Sequence, residues 1–273
     1  MTLLEPRTAA GREGLAAIRA NPRHAVIGLD FDGTLAPIVA DPEAARAHLG
    51  AVPALRGLAP LVDSVVVVTG RPAGTAVAYG GFASVPGLVV LGQYGLERWE
   101  AGRLRIPPPP PGIERARSSL PDLLARAGAP EGVWVEDKGS ALAVHTRRTS
   151  DPEGALASIR GPLAELAEHA GLVVQPGRMV LELRPPGTDK GGALRAFLRE
   201  RAGRAVLFAG DDLGDLPAFD AVDALRGAGV PGVTVCAGST EVTGLAERAD
   251  LVVDGPEGVV TLLEALAESL RTP

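Results

Sequence analysis

Short, continuous apolar runs alternate along this chain with stretches of helical spacing. Residues 25–29, 64–69, 88–91, 205–209, 232–236 and 250–253 are runs of the first kind, and uninterrupted apolar character is the mark of strands buried on both faces of a parallel sheet. Between them, Ala193 and Phe197, and Leu194 and Leu198, recur at four-residue spacing, and residues 259–270 behave similarly; both read as amphipathic helices. Strands alternating with helices predict a doubly wound α/β core.

The pattern changes after Trp99. The unbroken run Pro107 to Pro111 is extended and stiff, the composition of a hinge or spacer. Beyond it the spacing predicts a helix over 113–127, strands over 133–136 and 141–146 joined at Asp137-Lys138-Gly139, and a helix over 152–170. A hairpin-like pair over 172–174 and 179–183 follows, turning at Pro176-Gly177. Pro185-Pro186-Gly187 closes this stretch and core-type sequence resumes. The expected organisation is a core from residues 1–106 and 187–273, interrupted by a small α+β module over 107–186 that acts as a cap or lid at the sheet's ligand-binding edge.

Composition narrows the functional classes. A length of 273 residues permits a sizeable core. The single cysteine, Cys236, excludes an internal disulfide framework and a cysteine zinc site. Residues 1–20 mix Glu5, Arg7, Arg12 and Glu13 into their length, which is not a secretion signal, and no apolar stretch approaches the ~20 residues of a membrane span. A soluble, cytoplasmic, monomeric protein is expected. A net charge of −6 and only 3% aromatic residues argue against nucleic acid as a partner. Only Lys138 and Lys190 are lysines among 27 basic residues; where arginine serves elsewhere, these positions are candidates for needing a compact point charge.

The chemistry begins at Asp30-Phe31-Asp32-Gly33-Thr34, directly after the first apolar run. Two acids at the mouth of a buried strand lose solvation and repel one another unless donors or a cation compensate. Hard carboxylate oxygens suit Mg²⁺, and Mg²⁺ suits phosphate chemistry. An Asp-Gly turn is the plain structural alternative, and a calcium loop is set aside because Leu35 stands at its sixth position, where glycine is required. A second acid cluster, Gly210-Asp211-Asp212-Leu213-Gly214-Asp215, follows the run 205–209. C-terminal ends of parallel strands share one edge, so acids distant in sequence can converge there. Thr69-Gly70-Arg71 ends another strand with a hydroxyl, backbone N–H groups and a guanidinium able to hold phosphate oxygens. Lys190 follows Thr188 and Asp189 at a helix start, where a cation opposes the dipole and is better explained by a nearby anion.

These residues, in this order, resemble the four motifs of the haloacid-dehalogenase-type phosphatases. More narrowly, Gly92-Gln93-Tyr94-Gly95-Leu96-Glu97, Val135-Glu136-Asp137-Lys138-Gly139, Leu181-Glu182-Leu183-Arg184-Pro185 and Gly187-Thr188-Asp189-Lys190-Gly191 look like the trehalose-6-phosphate phosphatase family, cap included. The resemblance implies a Mg²⁺-dependent hydrolysis of a small sugar phosphate through an aspartyl-phosphate. It implies Asp30 as nucleophile, Asp32 as general acid and base, and Thr69 and Lys190 as stabilisers of the phosphoryl oxygens. The metal would be held by the Asp30 carboxylate, the Asp32 backbone carbonyl and Asp211, with Asp212 and Asp215 supporting it. Gly70 and Arg71 would lie at the phosphate end, and Glu136, Lys138 and Glu182 would hydrogen-bond sugar hydroxyls. Tyr94, Gly214 and Leu216 stand where relatives commonly carry His, Thr and Glu. His24, His48, His145 and His169 read as surface or packing residues.

Three rival functions share part of this pattern. A phosphatase of the same superfamily could act on sucrose phosphate, mannosylglycerate phosphate or another glycosyl phosphate. A phosphoryl-accepting signalling domain also groups acids, Thr and Lys around Mg²⁺, but places its acceptor on a middle strand and lacks a cap. A catalytically silent sugar-phosphate-binding regulator would not need all four motifs intact.

Overall fold

The computed structural model describes residues 4–39, 41–177, 179–238 and 243–271. The chain divides into two compact units, residues 1–106 with 189–273, and residues 107–188.

In the first unit, α1 (Ala9–Ala20), β1 (Ala25–Leu29), α2 (Ala51–Leu58), β2 (Ser64–Val68), α3 (Ala73–Gly80), β3 (Leu88–Gly92), β4 (Glu97–Glu100) and β5 (Arg103–Arg105) precede the second unit. The second unit contains α4 (Pro111–Arg126), β6 (Trp134–Asp137), β7 (Leu142–His145), α5 (Pro152–Ala170), β8 (Val173–Gly177) and β9 (Val180–Arg184). The first unit then resumes with α6 (Lys190–Arg201), β10 (Ala205–Gly210), α7 (Leu216–Gly227), β11 (Gly232–Gly238), α8 (Thr243–Arg248), β12 (Leu251–Asp254) and α9 (Gly255–Arg271).

The large sheet has eight strands in the order β12-β11-β10-β1-β2-β3-β4-β5, parallel from β12 through β3. Successive residues of its central strands feed opposite cores. Ile27, Leu29, Val65, Val67 and Leu207 pack with Ile18, Leu55, Leu58, Leu263 and Leu266, while Val26, Val66, Val206 and Phe208 pack with Leu194, Phe197, Phe219, Val222 and Leu245. Both faces are therefore dry, which is why these strands read as unbroken apolar runs. The order reverses at β1, whose neighbours are β10 and β2, so Asp30, Asp211 and Thr69 follow the C-terminal ends of three adjacent strands. This is where open α/β sheets bind ligands.

The sequence pattern did not reveal that β4 and β5 extend this sheet as antiparallel strands, joined by a turn with positive φ at Ala101 (49°) and Gly102 (75°). Only Glu97 and Trp99 are buried in β4, and β5 is exposed throughout. An edge hairpin of this kind carries little apolar signal.

The second unit is a four-stranded antiparallel sheet, β6-β7-β9-β8. Leu142, Val144, Leu181 and Leu183 of this sheet pack with Ile113 and Leu120 of α4 and Ile159 and Leu163 of α5. Helix α5 is bounded by Asp151, which accepts from Gly154 N–H at 3.0 Å, and by left-handed Gly171. Across the sheet, Glu136, Ala143, Glu182 and Gln175 stand in one row. Because strand side chains alternate, this row lies on the face opposite the core-forming leucines.

Candidate active site

Strand β1 ends in a chain reversal: Leu35 and Ala36 N–H both donate to Phe31 O, and Gly33 N–H to Ala36 O. Gly33 has φ +80°, and a Cβ there would stand 2.0 Å from Asp211 Oδ2. Only glycine allows both that backbone and so close an approach of the Asp211 carboxylate. Asp212 then caps the turn Leu213–Asp215 by accepting from Gly214 N–H at 2.8 Å, and Asp215 reaches back to accept from Asp211 N–H (3.0 Å) and Asp212 N–H (3.3 Å). This reciprocal cap folds Asp215 inward until it is fully buried.

Asp30, Asp211 and Asp215 meet, with one carboxylate oxygen of each lying within 4.8 Å of the others. Lys190 enters the cluster because Asp189 caps α6, accepting from Gly192 N–H at 2.7 Å, which makes Lys190 the first residue of that helix. Its Nζ lies 2.7 Å from Asp30 Oδ1 and 2.8 Å from Asp215 Oδ1. Burial raises the Asp30 carboxyl well above its ordinary range; Lys190 pulls it down, while Asp215 and Asp211 add to the rise. Asp211 is pushed up to about 7, first by burial and then by Asp215 and Asp212. Burial alone would lower Lys190, but the Asp215 and Asp30 charges overcome it and hold the ammonium well above its usual value. Three buried carboxylates around one ammonium leave negative charge uncompensated, and their hard oxygens can hold a divalent metal ion.

Asp32 takes a different partner. Arg71 Nε and Nη2 form a two-pronged pair with its carboxylate oxygens, each at 2.7 Å, a geometry that fixes both planes. The guanidinium also lies over the rings of Phe31 and Tyr79, 5.8 and 5.4 Å from their centroids. Thr69 Oγ1 accepts from Arg71 N–H at 3.1 Å, and Gly70 between them packs against Tyr94.

In the second unit, Lys138 Nζ pairs with Glu182 Oε2 at 2.6 Å, and Glu182 is buried. Glu136 meets His145 Nε2 at 2.9 Å, and the His145 ring stacks on Trp134 at 4.5 Å between centroids. Each of these groups lies on the polar face of the small sheet.

Residues 28–253 match the sequence profile of the trehalose-phosphatase family. The chain belongs to that family. The trehalose-phosphate phosphatase of Mycobacterium avium is 33% identical over 96% of this chain, and this chain spans 65% of that relative's length. Among solved structures, the Aspergillus fumigatus trehalose-6-phosphate phosphatase is 23% identical, superposes with a TM-score of 0.71, and is covered completely by 97% of this chain. A haloacid dehalogenase-like hydrolase of Bacteroides thetaiotaomicron superposes at 0.57 with 16% identity, over 88% of this chain and 98% of that one. The haloacid-dehalogenase-like α/β fold predicted from the sequence is the fold observed.

The structure thus brings Asp30, Asp211, Asp215 and Lys190 into one cluster, and Asp32 into a pair with Arg71. Glu136, Lys138 and Glu182 share a face of the second unit. Sequence reasoning assigned nothing to Glu97, a buried acid whose only signal was its place in the family-like motif that begins at Gly92. His145, expected to be a surface or packing residue, stacks on Trp134 and also meets Glu136.

Proposed function

We propose that this protein is a Mg²⁺-dependent phosphatase that hydrolyses trehalose 6-phosphate to trehalose and phosphate through an aspartyl-phosphate. The observation that carries this reading is the buried meeting of Asp30, Asp211 and Asp215 around Lys190 in a chain of this family. In the first half-reaction an Asp30 oxygen attacks phosphorus and the P–O bond to the sugar breaks, while Asp32, as the acid, gives its proton to the departing sugar oxygen. In the second, Asp32 takes a proton from water as the water oxygen attacks phosphorus. The P–O bond to Asp30 then breaks, releasing inorganic phosphate and restoring the Asp30 carboxylate.

The chain's own groups prepare both steps. Lys190 opposes the burial-driven rise of the Asp30 carboxyl, favouring its ionised form, and with Thr69, Gly70 and Arg71 offers donors to the phosphoryl oxygens. Arg71 also holds the plane of the Asp32 carboxylate. The Asp30 carboxylate, the Asp32 backbone carbonyl and Asp211, with support from Asp212 and Asp215, would hold Mg²⁺, which when bound would supply positive charge to offset the repulsion between phosphate and nucleophile. Glu136, Lys138 and Glu182 bind sugar hydroxyls, because paired acid and base side chains left unsatisfied by a lesser ligand discriminate against it.

The proposed working form is a cytoplasmic monomer acting on a small molecule, with neither nucleic acid nor membrane as partner. No described helix is long and apolar enough to cross a membrane. Phosphate release measured on trehalose 6-phosphate, sucrose phosphate and mannosylglycerate phosphate tests the substrate, and trehalose 6-phosphate should be turned over fastest. Asp30→Asn should be folded and inactive; unchanged turnover would remove the nucleophile assignment.

A further inference from the structure

The loop carrying Thr69, Gly70 and Arg71 is clamped by a neighbouring turn. Gln93 N–H donates to Arg71 O at 2.9 Å and Tyr94 N–H to Thr69 O at 3.0 Å. Gly92 backs so closely on α3 that a Cβ would lie 2.2 Å from Ala73 N, and a Cβ on Gly70 would lie 2.7 Å from the Tyr94 hydroxyl. The turn itself is strained: φ is positive at Gln93 (46°), Tyr94 (57°) and Gly95 (93°), and only the last is glycine. Positive φ at a non-glycine residue is destabilising and persists only where its surroundings dictate it.

Glu97 supplies the dictation. It is 4% exposed, its Oε2 accepts from Ala73 N–H at 2.6 Å, and its Oε1 accepts from Gln93 Nε2 at 3.0 Å. Ala73 opens α3 two residues after Arg71, and Gln93 opens the strained turn. One carboxylate therefore ties together the two segments that bracket the phosphate loop. Burial pushes the Glu97 carboxyl up, and the Ala73 and Gln93 donors pull against that rise. Buried charge with two converging donors costs more than a packed apolar side chain would; holding a fixed geometry is the return.

We infer that Glu97 is a positioning residue for phosphoryl transfer: it holds the 69–71 loop, and through Arg71 the Asp32 carboxylate, in the geometry that Asp30 requires. This inference rests on the proposed phosphatase activity. Misplacement of reacting groups by about an ångström costs on the order of 10²-fold in rate. Glu97→Ala should lose about that much in kcat/KM, and competitive inhibition by inorganic phosphate should weaken in parallel. Glu97→Gln should recover much of both, because its amide oxygen can still accept from Ala73 N–H once the Gln93 amide turns over. Activity is expressed per folded molecule, well below each variant's Tm.

A variant that melts earlier yet keeps wild-type kcat/KM and phosphate inhibition shows a merely structural role and overturns the inference. If Glu97→Ala does not fold, Gln93→Met, which removes half of the tie, carries the same test with the same two outcomes. An inactive Asp30→Asn beside kinetically unaffected Glu97 and Gln93 variants defeats this inference alone; an active Asp30→Asn defeats the reading beneath it.

Discussion

Replacing Lys190 with methionine keeps most of the length of the side chain and removes an ammonium paired with two buried acids, Asp30 and Asp215. Lys190 is 6% exposed, Asp30 3% and Asp215 0%, so water cannot take over the solvation that the ammonium provides. Breaking a buried pair by deleting one partner costs about 3–5 kcal/mol, mostly because the charge left behind is uncompensated. At ~2–4 °C per kcal/mol for a chain of roughly this size, Tm should fall by about 6–20 °C. The measurement is thermal or urea unfolding in EDTA at neutral pH, so that no divalent ion stands in for the ammonium. If the loss comes from stranded charge, then Asp30→Asn in the same chain should return part of it, making the double variant more stable than Lys190→Met alone. A Lys190→Met protein that melts with the wild type, or a double variant no more stable than the single, would refute this account of what Lys190 does.

Two further outcomes follow from buried titratable groups outside the cluster. Burial would raise the Asp250 carboxyl, but donation from Thr234 N–H and from Thr8 and Arg226 holds it below its ordinary value; its stabilisation is therefore full above the unfolded pKa of about 3.9 and is lost as pH falls through the lower folded value. Asp250→Asn should lower stability at pH 7 by about 1–3 kcal/mol and flatten the acid limb of the unfolding curve, and an unchanged limb would show that the acid loss arises elsewhere. Cys236 is fully buried and its thiol is pushed up to about 11, chiefly by burial and then by Asp211 and Asp215; native protein should react with a thiol reagent at pH 8 only as fast as it opens, and immediate labelling without denaturant would contradict that placement.

The parts legible in the sequence are those that depend on local pattern. Residues 25–29 form a strand within the predicted limits because β-branched and apolar side chains are needed on both of its faces. Helix α5 begins and ends where Asp151, Pro152 and Gly171 dictate. The meeting of Asp30 with Asp211 was also foreseeable, since parallel strands put their C-terminal ends on one edge. What stayed hidden depends on which atoms point at which. Nothing in spacing tells that Asp32 turns its carboxylate to Arg71 rather than to the acid cluster, or that the cap of one turn folds Asp215 into it. Strands β4 and β5 were hidden for another reason: alternating Arg, Trp and Glu at a sheet edge resembles ordinary exposed sequence. Glu97 lies in that same hairpin, so its role was masked along with the strand that carries it.

The second unit is one uninterrupted stretch of chain with a hydrophobic centre of its own, built from α4, α5 and the four strands around Leu142 and Leu181. None of the groups assigned to bond making and breaking comes from it. On the proposed reading, the residues that choose the sugar therefore lie in one contiguous segment of gene, and those that would carry hydrolysis are encoded on either side of it. Exchanging that segment alone would then be expected to change which sugar phosphate is taken while leaving the proposed phosphoryl-transfer groups in place.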